Sequence, residues 1–223
     1  MDTEFYVKLA VFAIGAFLIG GIPFGLIIGK LNGKDVRKEG SCNIGATNVT
    51  RVVGKWWGKL CFLLDFLKGA LPVTAAVLMN GNESYGILPA FTAFMVVAGH
   101  IWPVYLKFKG GKGVATAAGA FLPLSWAALV TALLVWVLVF LTTRYVSLAS
   151  ITAAVIFAIA AVIFYILFPN IGLIPDVKLG QACLIPIVLL SVLTVVKHKS
   201  NIVRLLNGTE NRFEKSKKID AGN

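Results

Sequence analysis

Charge is what this sequence has least of. Only 14% of its 223 residues are charged, and just ten of them are acidic. There are two histidines and three cysteines. Each scarcity excludes something. So few carboxylates and imidazoles, with no ligand spacing among them, leave no expected metal centre. They do not suggest a Ser-His-Asp arrangement either. The cysteines (Cys42, Cys61 and Cys183) are odd in number, so no disulfide framework is implied, and Cys61 and Cys183 fall inside apolar runs as small hydrophobes. The apolar runs are continuous rather than alternating, which argues against membrane-spanning strands. What is abundant is hydrocarbon: 58% of the residues are hydrophobic and the mean hydropathy is +0.85. Runs of ~20 apolar residues recur, the length a helix needs to cross about 30 Å of lipid. The chain reads as an all-α, polytopic integral membrane protein.

The N-terminus is not expected to be a secretory signal. Its flank is acidic (Asp2, Glu4), the apolar run from Leu9 to Ile28 is long, and no small-residue cleavage site follows. Spans are expected from about Phe5 to Gly29, Trp56 to Met79, and Gly86 to Leu106. The polar turn Asn80–Glu83 separates the second from the third. The apolar block from Val114 to Leu141 carries Leu122–Pro123–Leu124–Ser125, and proline disrupts a helix interior, so a short helix, a break and a returning helix are expected there. Further helices follow over about Val146–Phe168 and Leu179–Val196, with an outside loop starting at Pro169. Read this way, 18 of the 21 Lys and Arg residues lie on one side. That bias is the positive-inside pattern, so the net charge of +11 needs no nucleic-acid partner. About seven transmembrane helices are expected, including the short broken pair, with the N-terminus outside and the C-terminus inside. Residues 1–213 would form a single membrane domain and 214–223 a polar tail.

Four polar clusters then fall on the inner face. The first, Gly40–Arg51, gathers Ser41, Asn43, Thr47, Asn48 and Arg51 around Gly40 and Gly45. Glycines let a backbone approach a ligand, backbone N–H groups can form an anion nest, and Arg offers a planar fork for phosphate. A polar inter-helix turn is the plainer reading of that stretch alone. The second cluster runs from Gly99–His100 to Lys107-Phe-Lys-Gly-Gly-Lys-Gly113 and opens onto a helix. Lys109, Gly110, Gly111 and Lys112 there would offer ammonium groups and free N–H groups at a positive dipole end. It is not a Walker loop, because Gly113 stands where Ser or Thr should follow the lysine. The third cluster spans Arg144–Ser150 with Ser147, and the fourth holds His198, Asn201, Arg204, Asn207, Gly208 and Glu210. A lone His100 at the end of a span is more often structural, whereas His198 has Asn201 near it at helical spacing. Asp65 and Lys68, three apart inside a span, read as an ion pair locking helices together. Cys42 could be a nucleophile, but a small residue in a tight turn is the preferred reading.

Together the motifs GSCNIGATNVTR, LLDFLKG (63–69), GHIWPVYLKFKGGKGVAT (99–116), RYVSLASI (144–151) and HKSNIVRLLNGTE (198–210) resemble the bacterial acyl-phosphate:glycerol-3-phosphate acyltransferase family, the PlsY type. They occur in family order over nearly the whole chain to about Phe213. Cys42 stands where the family usually has glycine, which argues against a cysteine nucleophile. The resemblance implies transfer of a long-chain acyl group from acyl phosphate to the 1-hydroxyl of glycerol 3-phosphate, giving lysophosphatidic acid and phosphate. It implies no cofactor and no metal, and a site facing the cytoplasm from a bacterial inner membrane; a monomer is expected. By this resemblance Ser41, Arg51, Lys112, His198 and Asn201 would be catalytic. Asn43, Gly45, Thr47, Asn48, His100, Lys109, Gly110, Gly111, Arg144 and Ser147 would bind substrate. The proton acceptor stays open between a substrate phosphate oxygen and His198. A transporter of phosphorylated metabolites is the alternative, but it would distribute polar groups through the bilayer depth. A CDP-alcohol phosphotransferase would need several aspartates, and the spans offer only Asp65.

Overall fold

A computed structural model describes residues 2–80, 86–168 and 181–213. The expected turn at 81–83, the outside loop at 169–172, the start of the last span at 179–180 and the tail 214–223 lie outside the described residues. Every regular element among the described residues is helical. Asp2 caps the first helix, α1 (Thr3–Gly21), by accepting the Phe5 N–H at 2.9 Å. Pro23 cannot donate, so the first span breaks at Ile22–Pro23 and resumes as α2 (Phe24–Leu31). There follow α3 (Ala46–Val52), α4 (Lys55–Asn80), α5 (Ile87–Ile101), a 3₁₀ turn (Val104–Leu106), α6 (Val114–Phe121), α7 (Trp126–Thr143), α8 (Val146–Leu167), α9 (Gln181–Lys197) and α10 (Lys199–Leu206). The expected break in the 114–141 block is present between α6 and α7.

Each of the seven expected helical segments has a counterpart, the first divided into α1 and α2; α10 carries the helical spacing expected after His198, and α3 is an additional short helix. Five stretches are long and apolar enough to cross a membrane, and the bent pair formed by α9 and α10, at 51°, makes a sixth if taken as one span. Helix α6 has eight residues and rises only about 12 Å, too little to cross.

Close helix approach replaces hydrophobic collapse as the glue in lipid, and it needs small residues. At the seam of α1 with α5, a Cβ on Gly20 would lie 2.0 Å from the Val96 carbonyl oxygen. At the seam of α4 with α6, a Cβ on Gly69 would lie 2.1 Å from the Thr116 carbonyl oxygen. Between these seams sits a core of Val73, Val97, Phe121, Ala128, Phe157 and Leu190, with the Phe121 and Phe157 rings 5.1 Å apart. Its effect is to hold the ends of α4, α6, α8 and α9 around one polar space.

Candidate active site

The first loop is organised by a buried amide. Asn48, 1% exposed, donates through Nδ2 to the carbonyls of Val36 (2.8 Å), Asn43 (2.9 Å) and Glu39 (3.1 Å). Its Oδ1 accepts the Ser41 N–H at 2.8 Å. Asn43 is likewise engaged within the loop, its Oδ1 accepting the Gly45 N–H at 2.9 Å. Both asparagines therefore hold the loop's shape, leaving the hydroxyls of Ser41 and Thr47 and the Arg51 guanidinium as its chemistry. The second half of this stretch is the helix α3 rather than a turn. Cys42 is exposed, adopts a left-handed φ of 55°, and is not among the residues lining the cavity described below.

The second cluster departs from expectation. The chain leaves α5, turns through Lys107 and Phe108 (φ 51° and 62°), and returns alongside itself. There the Gly110 N–H donates to the Ile101 carbonyl (3.2 Å) and the Gly111 N–H to the His100 carbonyl (3.1 Å). These glycines are thus not free phosphate donors: their N–H groups were already claimed by the end of α5. The turn also sends Lys109 outward, exposed and off the cavity wall. Lys112 takes the inward place, donating from Nζ to Asn201 Oδ1 at 2.6 Å. The N–H groups that can meet an anion belong to the first turn of α6, after Gly113 (φ 81°), where Val114 and Ala115 line the cavity.

Arg144 is a further correction. It caps α7 in a left-handed conformation, its guanidinium lies over the Phe140 ring at 5.9 Å, and it does not line the cavity. Ser147 does, and its buried hydroxyl donates to Glu210 Oε1 at 2.8 Å. His198 sits at the joint of α9 and α10, where its Nδ1 bonds the Thr194 carbonyl at 2.7 Å. A carbonyl only accepts, so Nδ1 carries the proton and Nε2 is the basic nitrogen of the neutral ring. His100 also lines the cavity, from beneath, beside Asp65. Asp65 forms the expected buried ion pair with Lys68 at 2.7 Å.

Glu210 is the residue that sequence reasoning left out of the site. Besides Ser147 it accepts from Asn201 Nδ2 (2.8 Å) and from Arg204 Nε (2.8 Å). Through Asn201 it reaches Lys112, so one carboxylate braces the third and fourth clusters and the second. Its position near the chain's end, among charged residues, gave only the weak signal of an acid inside a basic motif. The segment around it also holds Arg51, whose Nη2 donates to the Asn211 carbonyl (3.3 Å) and whose guanidinium lies over Phe213 at 4.9 Å.

These groups enclose a cavity of about 610 Å³. Ser41, Asn43, Gly45, Thr47, Asn48, Arg51, His100, Lys112, Ser147, His198 and Asn201 all line it. A second, apolar cavity of about 260 Å³ adjoins it, sharing Phe62, Val114, Trp136 and Ser150. Burial pushes the Lys112 ammonium down to about 8, with the nearby Glu210 charge opposing the drop. Burial also lowers Arg51, again opposed by Glu210. For Glu210 itself burial pushes upward, but the hydrogen bonds from Asn201, Ser147 and Arg204 outweigh it and the net direction is down. The cavity therefore presents cations and donors, with the lowered Glu210 carboxylate gathering Ser147, Asn201 and Arg204, a geometry suited to a phosphate.

A helical bundle with a cationic cavity joined to an apolar one defines a multi-pass membrane protein that handles an anionic head and a lipid chain. The family model for glycerol-3-phosphate acyltransferase matches residues 10–208. A glycerol-3-phosphate acyltransferase of Aquifex aeolicus is 44% identical over 92% of this chain and all of its own length. Another, from Syntrophotalea carbinolica, is 44% identical over 95% of this chain and 99% of its own. Two crystal structures of PlsY, an integral membrane glycerol 3-phosphate acyltransferase, resemble the fold. The glycerol 3-phosphate form has a TM-score of 0.81 at 42% identity, covering 92% of this chain and 96% of that one. The lysophosphatidic acid form has a TM-score of 0.79 at 41% identity, covering 92% and 95%. The chain belongs to the glycerol-3-phosphate acyltransferase family, and it is a membrane acyltransferase rather than a transporter.

Proposed function

We propose that the enzyme takes its acyl group from a long-chain acyl phosphate and places it on the 1-hydroxyl of glycerol 3-phosphate, working as a monomer at the cytoplasmic face of a bacterial inner membrane. The observation that carries this reading is the joining of the two cavities. The polar one accommodates phosphate groups; the apolar one, lined by Ala117, Ala118, Ala132, Ala153 and Ala154 between Phe121 and Phe157, accommodates the alkyl chain. The reacting carbonyl then lies at their junction. Arg51, Lys112, Ser41, Thr47 and the first turn of α6 hold phosphate oxygens. Asn201 and Ser147, braced by Glu210, fix the far wall.

In the reaction the 1-hydroxyl oxygen bonds to the carbonyl carbon. The bond from that carbon to the phosphate oxygen breaks, and phosphate leaves with the electron pair. The hydroxyl proton passes to an acceptor, for which His198 Nε2 and a substrate phosphate oxygen are both available. An acyl phosphate is already activated, so positioning and neutralisation of the leaving charge supply the rate.

The test is purified enzyme in detergent with palmitoyl phosphate and labelled glycerol 3-phosphate, with acyl-CoA as control donor. Labelled lysophosphatidic acid and free phosphate are expected from the acyl phosphate alone, and product only from acyl-CoA would overturn the donor. Arg51→Ala should abolish both products, and full activity there would remove Arg51 from the mechanism.

A further inference from the structure

Three buried groups beneath the polar cavity have no part in the chemistry above: Asp65, Lys68 and His100. Their geometry ties together three separate parts of the chain. Lys68 Nζ donates to the Ile22 carbonyl at 2.8 Å, an oxygen at the break before Pro23 that also accepts the Phe24 N–H at 3.1 Å. Lys68 also pairs with Asp65 at 2.7 Å, and Asp65 Oδ1 stands 3.7 Å from His100 Nδ1. His100 is 5% exposed and closes α5 at the point where the glycine turn comes back.

The returning strand presses directly on that imidazole. A Cβ built on Gly111 would lie 2.2 Å from His100 Nε2, and one on Gly110 would lie 2.1 Å from the His100 carbonyl oxygen. Only glycine fits at either position, so the turn is seated on His100 by ring contact and by the 3.1 Å bond from the Gly111 N–H. The next residue is Lys112, whose ammonium reaches Asn201 at 2.6 Å.

We propose that His100 is a positioning residue for Lys112: buried at the end of α5 against the returning turn, it acts through Gly111 to set the lysine at the phosphate. This rests on the reading of Lys112 as a phosphate ligand. Gly111→Ala then drives the turn upward by the volume of one methyl group, and His100→Ala returns that volume from below. The two substitutions compensate rather than add.

The experiment is steady-state kinetics in glycerol 3-phosphate on purified Lys112→Ala, Gly111→Ala, His100→Ala and the Gly111→Ala/His100→Ala double variant, with melting temperature measured in parallel. A displacement of about 1 Å at a positioning group costs roughly 100-fold. Gly111→Ala is expected to lose about that much kcat/KM, mostly in KM, and the double variant to regain at least about tenfold of it. His100→Ala alone raises KM even where the protein remains folded, whereas a merely structural histidine would lower the melting temperature and leave KM unmoved. A double variant no better than Gly111→Ala overturns the proposal, as does an unchanged KM in His100→Ala. If His100→Ala does not accumulate, His100→Ser supplies the same space and the same comparison. Lys112→Ala separates the two ideas. An unchanged KM there removes the phosphate role of Lys112, while a raised KM with additive Gly111 and His100 effects refutes only the positioning.

Discussion

Replacing Glu210 by Gln and by Ala tests whether that carboxylate braces the site or takes part in the chemistry. Its three bonds are to Ser147, Asn201 and Arg204, each at 2.8 Å. A glutamine has one oxygen for two positions. Asn201 cannot turn its amide over to compensate, because its Oδ1 already accepts from Lys112 at 2.6 Å. The glutamine oxygen must therefore stay toward Ser147 and Asn201, and its NH₂ then faces the Arg204 Nε donor. One charged hydrogen bond is lost, worth about 1.5–3 kcal/mol in a buried setting. The Arg204 side chain is 32% exposed, so water recovers part of this and about 1–2 kcal/mol remains. Carried into the transition state, that is about 5- to 30-fold in kcat/KM. Alanine leaves the Ser147, Asn201 and Arg204 donors all without their acceptor; a loss of about 3–4 kcal/mol, or several hundred-fold, is expected. Initial rates of labelled lysophosphatidic acid formation at saturating and limiting glycerol 3-phosphate measure both, with melting temperature as a control on folding. The two variants equally inactive would refute the bracing role, because only a carboxylate that exchanges a proton is lost completely on amidation. Two fully active variants would refute any role.

Other expectations follow from single features. The Lys112 ammonium, lowered to about 8 by burial, is charged below that pH and neutral above it, so KM for glycerol 3-phosphate should climb above pH 8. Lys112→Arg, charged throughout, should flatten the climb, and an identical profile in both proteins would contradict the assignment. Cys42 holds a left-handed φ of 55°. Relief of that strain outweighs the extra chain entropy of glycine, and Cys42→Gly should raise stability by about 0.5–1 kcal/mol with activity kept. Loss of activity there would instead revive a covalent thiol mechanism. Ala118 lies one helical turn past Val114 on the wall of the apolar cavity, away from the Gly119 seam. Ala118→Phe should shift donor preference toward short acyl phosphates by about tenfold, read as the ratio of rates for hexanoyl and palmitoyl phosphate; an unchanged ratio would place the chain elsewhere.

The spans and the four clusters were legible because lipid leaves little freedom: apolar length fixes the helices and lysine placement fixes which loops share a face. The break near Pro123 followed from the same logic. What stayed hidden depends on how the chain meets itself. Gly110 and Gly111 look like open phosphate donors until α5 is seen to take their N–H groups. Asn48 looks like a ligand until four backbone groups are found around it. Arg144 has the right charge and the right neighbourhood, yet its work as the cap of α7 turns it away. Glu210, an acid among basic residues near the end of the chain, carried no pattern that hydropathy could flag. The apolar cavity is built mainly from α6, α7 and α8, with Phe62 of α4 and Leu190, Ser191 and Thr194 of α9, at positions that carry no signal singly, and only their convergence makes a space.

The brace at Glu210 also sets a clock. His198, Asn201, Arg204 and Glu210 follow the helices from α1 to α8 in chain order, so they are synthesised after them. Until they arrive Lys112 lacks its Asn201 partner, and the donors that converge on Glu210 have no common acceptor. A nascent chain can therefore insert, pack its glycine seams and meet lipid without being able to act on it. The site can assemble only once the chain has been made through Glu210, and a message truncated before that residue yields helices α1 to α8 without the brace that completes the site.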